Sequence, residues 1–140
     1  MTIDRDLVTR KLTLILGELR TIEKLAATAQ DEFLRDEMAQ AVAERVLERV
    51  IGRMIDVNYH LLTGRGLPPP SDYFTSFLKL AEIGVLDRAF ADRLAPSAGL
   101  RNRLVHEYDA IDPARVFDAL SRSADDIRRY AAAVQDSLDA

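Results

Sequence analysis

The stretch DEFLRDEMAQAVAERVLERVIGRMIDVNYHLL, residues 31–62, decides the fold of this chain. Its apolar residues Leu34, Met38, Ala41, Val42, Leu47, Val50, Ile51, Met54, Ile55, Leu61 and Leu62 recur at three- and four-residue steps. That spacing lines one face of an α-helix. Asp31 and Glu32 put negative charge where the helix dipole favours it. A helix this long, roughly 48 Å at ~1.5 Å per residue, must bury its apolar face against other elements.

The neighbouring segments supply those elements. Upstream, from Asp4 to about Ala29, residues Leu7, Val8, Leu12, Ile15, Leu16, Leu19, Ile22 and Leu25 keep the same period. Downstream, Gly64-Arg65-Gly66-Leu67-Pro68-Pro69-Pro70 breaks it, and three consecutive prolines predict a stiff extended connection. Ser71 is the expected N-cap of a third helix, Asp72 to about Ile83, stopped by Gly84. A short segment over Asp87 to Leu94 ends near Pro96, and a further helix is expected from about Ala98 to Tyr108. Asp112-Pro113 has N-cap and N1 chemistry for a last helix to about Ser137. Strand patterns and internal repeats are lacking. The expected fold is an all-α bundle of about five helices, formed by residues 1–140 as a single domain.

Composition narrows the function. The 140 residues include 48% apolar and 30% charged side chains, as expected of a globular chain with a proper core. There is no cysteine, which excludes disulfides, thiolate nucleophiles and cysteine zinc sites, and fits a reducing cytoplasm. No run approaches the ~18 apolar residues of a membrane span, and the charged N-terminus is unlike a signal peptide. The chain is therefore expected to be cytoplasmic, without a membrane partner. A net charge of −4 argues against broad nonspecific nucleic-acid binding, yet leaves room for a local basic site.

Arg101-Asn102-Arg103-Leu104-Val105-His106, with Tyr108 beyond, places a permanent cation and a titratable imidazole on one short segment. Cleaving a phosphodiester without a metal needs both: a proton shuttle near neutral pH and a fixed positive charge for the developing anionic oxygens. With Arg101 at zero on an ideal helix, Tyr108 falls at about −20°, Asn102 at about 100°, His106 at about 140° and Arg103 at about 200°. Leu100 and Leu104 fall at about 260–300°, with Ile111 if the helix extends so far. The leucine stripe is thus expected to anchor the helix, with Arg101, Asn102, His106 and Tyr108 directed outward. Asp56 and His60 share the i, i+4 spacing of a metal-ligand pair. With no further cysteine or histidine ligand nearby, an intramolecular contact or a role supporting a cleft is the favoured reading. Tyr59, Tyr73 and Tyr130 read as packing residues, and Gly64-Arg65-Gly66 is too short for a phosphate loop.

The string Arg101-Asn102-x-Leu104-Val105-His106-x-Tyr108 resembles the R-x4-H-x-Y signature of the HEPN superfamily, specifically its HepT-like ribonuclease toxins. Asp56-x-x-x-His60, the Pro-rich loop and Tyr73-Phe74-x-x-Phe77-x-x-Leu80-Ala81-x-x-Gly84-Val85-Leu86 resemble that family in order and spacing. The resemblance implies a HEPN-like bundle and a metal-independent endoribonuclease that needs no cofactor. It implies a homodimer whose motif helices face each other across an RNA cleft, the RNA being tRNA or mRNA. Arg101 would stabilise the phosphorane, and His106 would act as general acid or base. Asn102 would orient the phosphate or hold the histidine, and Arg103 is a candidate RNA contact. Tyr108 matches the tyrosine that a cognate minimal nucleotidyltransferase antitoxin, of the MntA type, modifies with AMP to silence the toxin. The alternative is a noncatalytic helical adaptor or nucleotidyltransferase-associated subunit on the same bundle.

Overall fold

A computed structural model describes residues 2–107 and 111–140. Among these residues the chain is helical throughout, in eight segments: α1 Arg5–Leu16, α2 Leu19–Ala26, α3 Gln30–Phe33, α4 Glu37–Gly64, α5 Tyr73–Glu82, α6 Arg88–Leu94, α7 Ser97–His106 and α8 Pro113–Asp139. The all-α expectation holds, and the larger segment count has local causes. The first expected helix is divided at Gly17, where the Glu18 N–H bonds the Ile15 carbonyl three residues back at 3.1 Å. The Glu18 carboxylate then accepts from Arg49 Nε and Nη2 of α4 at 3.2 and 2.8 Å. The expected Asp31–Leu62 helix sheds its first turn as α3, because Asp36 caps a fresh start by accepting from the Ala39 N–H at 3.0 Å. At its other end α4 continues to Gly64. Gly66, at φ 84°, makes the left-handed stop, with the Leu67 N–H on the Leu62 carbonyl at 3.1 Å.

Two further boundaries are corrected. Asp72, not Ser71, caps α5, accepting from the Thr75 N–H at 2.7 Å. Helix α7 ends at His106, short of the expected Tyr108, with Glu107 outside it. Asp112 and Pro113 open α8 as expected, the Asp112 carboxylate accepting from the Ala114 N–H at 2.9 Å. Gly84, at φ 80°, stops α5.

Helix α4 is the spine, with α1, α5, α7 and α8 packed around it. Val46, Leu47, Val50, Met54, Leu61 and Leu62 are buried along its length. The register of its apolar face shifts toward the N-terminal end. There Ala43 is fully buried while Leu34, Met38 and Val42 are 41%, 78% and 42% exposed, so the first part of the expected stripe lies on the surface.

One polar cluster crosses this core. Tyr130 of α8, Asn58 of α4 and Ser76 of α5 are all fully buried. The Tyr130 hydroxyl faces Asn58 Oδ1 and the Met54 carbonyl, the latter at 3.0 Å. Asn58 Nδ2 donates to Ser76 Oγ at 3.0 Å, and Ser76 Oγ donates to the Tyr73 carbonyl at 2.6 Å. Each buried polar group thus has a partner, which fixes α5 in register against α4 and α8. Helix α6 is pinned to α8 by Arg93–Asp126 at 3.0 Å and Arg129–Asp87 at 2.6 Å, with the Arg129 guanidinium 4.0 Å from the Phe90 ring centroid.

No described helix is long and apolar enough to cross a membrane.

Candidate functional site on helix α7

Helix α7 carries the cation and the imidazole, and packing against α4 and α5 gives its flanks different surroundings. Leu104 is buried, Leu100 is packed against the core, and Ala98 lies in it. These residues anchor α7 as the leucine spacing predicts.

Arg101 departs from the expectation that it points freely outward. It is half-buried, lodged between Gly52 of α4 and the ring of Tyr73 at the start of α5. A methyl group on Gly52 would reach Arg101 Nε at 4.0 Å, an ordinary contact distance, so the position accepts a methyl but a larger side chain would press on the arginine. The guanidinium carbon sits 5.4 Å from the Tyr73 ring centroid, a cation–π distance. Tyr73 meets Tyr59 edge to face at 6.0 Å, and the Tyr59 hydroxyl donates to the Pro70 carbonyl at 3.3 Å. The Pro-rich loop, Tyr59, Tyr73 and Arg101 therefore form one continuous stack. Burial, then Tyr73 and Asp72, push the Tyr59 phenol up from its ordinary value, so it stays a neutral donor.

Arg101 Nε is buried with no hydrogen-bond partner among the described residues. Buried polar atoms are normally satisfied, so an unpaired N–H on a permanent cation sets Arg101 apart among the described residues.

His106 is exposed in the last turn of α7, and Asn102 is exposed with no side-chain hydrogen bond among the described residues. Five positions apart on one helix, Arg101 and His106 point about 140° away from each other. Tyr108 lies outside the described residues.

Arg103 lines a different surface. It is exposed on the far flank of α7 and borders a groove between α4, α6, α7 and α8. The structure does not bring Arg103 and Arg101 together.

Asp56 and His60 do not form a pair either. Lys11 donates to Asp56 Oδ2 at 3.2 Å, while the Asp4 N–H donates to His60 Nε2 at 2.9 Å. Both side chains therefore tie the start of the chain to α4. Ile3 seats on Gly64, where a Cβ would approach its Cγ1 to 2.8 Å.

Gly52 and the Asn58–Ser76–Tyr130 cluster are positioning features that motif reading passes over. Signals for both exist in the sequence. Gly52 is the only glycine inside the long apolar period, and Asn58 occupies the stripe position four residues after Met54.

Comparison with known proteins bears on the family and the fold. The family model described as "Ribonuclease HepT-like" matches residues 15–134. A protein named tRNA nuclease HepT, from Aphanizomenon flos-aquae (strain 2012/KM1/D3), is 36% identical over 115 residues, covering 82% of this chain and 78% of the relative. The tri-AMPylated Shewanella oneidensis HEPN toxin, solved in complex with MNT antitoxin, superposes with a TM-score of 0.84 at 22% identity, over 95% of this chain and 99% of that one. YutE from Bacillus subtilis, described as a cytosolic protein of unknown function, superposes with a TM-score of 0.85 at 17% identity, over 99% of this chain and 94% of that one.

Proposed function

Because this chain belongs to the ribonuclease HepT-like family, we propose that it is an endoribonuclease toxin whose cutting site is built on Arg101 and His106. The observation that carries this reading is the orphan Nε of Arg101, a buried unused donor on a half-buried cation that shares a short helix with an exposed imidazole.

In the proposed reaction a ribose 2′-hydroxyl attacks the adjacent phosphorus while a general base takes its proton. The P–O5′ bond breaks as a general acid protonates the leaving oxygen. The products are a 2′,3′-cyclic phosphate and a free 5′-hydroxyl. His106 supplies one of the two proton transfers, and Arg101 stabilises the charge that accumulates on the phosphorane oxygens. The Tyr73 ring holds the guanidinium in place, so its charge is oriented before substrate arrives. Asn102, exposed one residue on, would orient the phosphate or hold the histidine. No step calls on a metal or cofactor.

Since Arg101 and His106 point about 140° apart on one helix, the site is completed by a second copy. A homodimer with facing α7 helices supplies the missing group from the partner and doubles the local positive charge of a chain whose net charge is −4. Of the two RNA classes open to the site, tRNA is better supported, since the 36% identical relative carries that activity in its name. The antitoxin partner is a minimal nucleotidyltransferase, in keeping with the complex in which the Shewanella toxin was solved. AMP transferred to Tyr108 would place bulk and negative charge beside the motif and exclude RNA by steric and like-charge repulsion. A cytoplasmic location follows from such a substrate and partner.

End-group analysis of cleaved RNA tests the chemistry: the reading requires cyclic phosphate and 5′-hydroxyl ends. Products with 5′-phosphate ends would exclude 2′-hydroxyl attack. Mass measurement after coexpression with the cognate nucleotidyltransferase tests Tyr108, and an adduct elsewhere would remove it from the mechanism.

A further inference from the structure

We infer that the groove on the far flank of α7 is a second binding site, and that its ligand is a nucleoside phosphate. The groove has a volume of about 310 Å³, at the lower end of the size range of small-molecule sites. Its floor is apolar, formed by Leu47, Ile51 and Met54 of α4 with Leu94 and Leu100. Its rim is cationic, with Arg93, Arg103, Arg115 and Arg122 facing only two carboxylates, Asp118 and Asp126.

The pairing of those charges decides what the groove can hold. Arg93 is engaged by Asp126 at 3.0 Å, and Arg122 by Asp118 at 2.9 Å. Arg103 and Arg115 form no ion pair among the described residues, so within that set the groove holds two guanidiniums without an acidic partner. The Arg103 guanidinium folds back along α7 toward Gly99, where a Cβ would lie 3.9 Å from Arg103 Nη1.

An apolar slab beside two free guanidiniums suits a ligand with a flat apolar body and a doubly charged head. A nucleobase on the leucines and a phosphate on Arg103 and Arg115 satisfy both halves, since guanidinium forks match phosphate oxygens. A simple carboxylate would leave one cation unmatched, and a neutral apolar ligand would leave two. The same chemistry comes from a free nucleotide or from one residue of a bound RNA strand. In either case the ligand rests on the flank of α7 opposite Arg101. The inference does not rest on the ribonuclease reading.

Binding, with no cleavage readout, tests it. The intact chain would be titrated calorimetrically with AMP. A short single-stranded RNA would be titrated by fluorescence anisotropy against the His106→Ala variant, with the RNA checked for integrity afterwards so that cleavage does not confound binding. Each titration would be repeated with Arg103→Ala/Arg115→Ala and with Ser123→Trp, which fills the groove but keeps both arginines. AMP binding that weakens at least about tenfold in both, as expected on losing charge-assisted phosphate contacts, supports a free nucleotide as ligand. The same losses confined to RNA support a strand residue. AMP and RNA binding that survives both changes, or is absent from the start, overturns the site. Unchanged melting temperatures establish that the variants fold.

Discussion

The Arg101 guanidinium lies over the ring of Tyr73, its central carbon 5.4 Å from the ring centroid, and this contact joins the motif helix α7 to the first turn of α5. A cation–π contact of this kind contributes about 0.5–2 kcal/mol. Replacing Tyr73 by Leu is expected to leave the fold intact and to slow RNA cleavage roughly 5- to 10-fold. Tyr73→Phe, which keeps the ring, should stay close to wild type. Equal losses in Leu and Phe variants would mean that the hydroxyl, not the ring, positions the arginine.

Gly52 separates stability from activity. A methyl group there meets only Arg101 Nε, at an ordinary contact distance of 4.0 Å, while alanine is the better helix former. Gly52→Ala should therefore raise the unfolding free energy by about 0.5–1 kcal/mol in urea titrations. Gly52→Leu should displace Arg101 and abolish most cleavage in a protein that still melts cooperatively. A Leu variant with full activity would detach Gly52 from the site.

The buried Tyr130–Asn58–Ser76 cluster is the second lever. Ser76→Ala strands Asn58 Nδ2 in the core, where an unsatisfied donor costs about 1–3 kcal/mol. The loss should appear as a lower urea midpoint at unchanged m-value. A shift near zero would mean that water replaces the hydroxyl.

Much of this architecture is legible from residue spacing alone, and what is not has a common cause. Leu47 to Leu62 read correctly as the spine because a helix buried along one side must repeat its apolar residues. Gly84, Asp112 and Pro113 read correctly because a left-handed stop and an N1 position restrict residue choice. Leu34, Met38 and Val42 read as core and are exposed, since period shows which residues share a face without showing what covers it. Asp72 displaces Ser71 as cap because two adjacent residues both suit the position and only backbone geometry chooses between them. For the site, projection separates Arg101, His106 and Arg103 around α7, but what lies against Arg101 depends on Gly52 and Tyr73, some 50 and 30 residues away. No local pattern encodes that meeting.

Stability should fall at both ends of the pH range. The Thr75 N–H holds the Asp72 carboxyl below its ordinary value, and hydrogen bonds from Arg5 and then Gln135 do the same for Asp139. A depressed carboxyl stabilises the fold above its unfolded pKa of about 3.9. That contribution disappears as pH falls through the lower folded value. Burial raises the Tyr130 phenol well above its ordinary value. Its contribution is complete below the unfolded pKa of about 10 and is lost as pH rises beyond it. Thermal melts should therefore weaken below about pH 4 and above about pH 10, and Tyr130→Phe should flatten the alkaline limb. An unchanged alkaline limb in Tyr130→Phe would assign that limb to other groups.

The most direct test of the account is RNA cleavage in EDTA by the purified chain, set against His106→Ala and Arg101→Ala variants that retain the wild-type melting transition. The account predicts cleavage by the wild type with the metal chelated, and a loss of at least about a hundredfold, the scale of a general acid–base group, in each variant. Equal cleavage by all three proteins, or none by the wild type, would contradict it and leave the bundle as a noncatalytic partner of the nucleotidyltransferase.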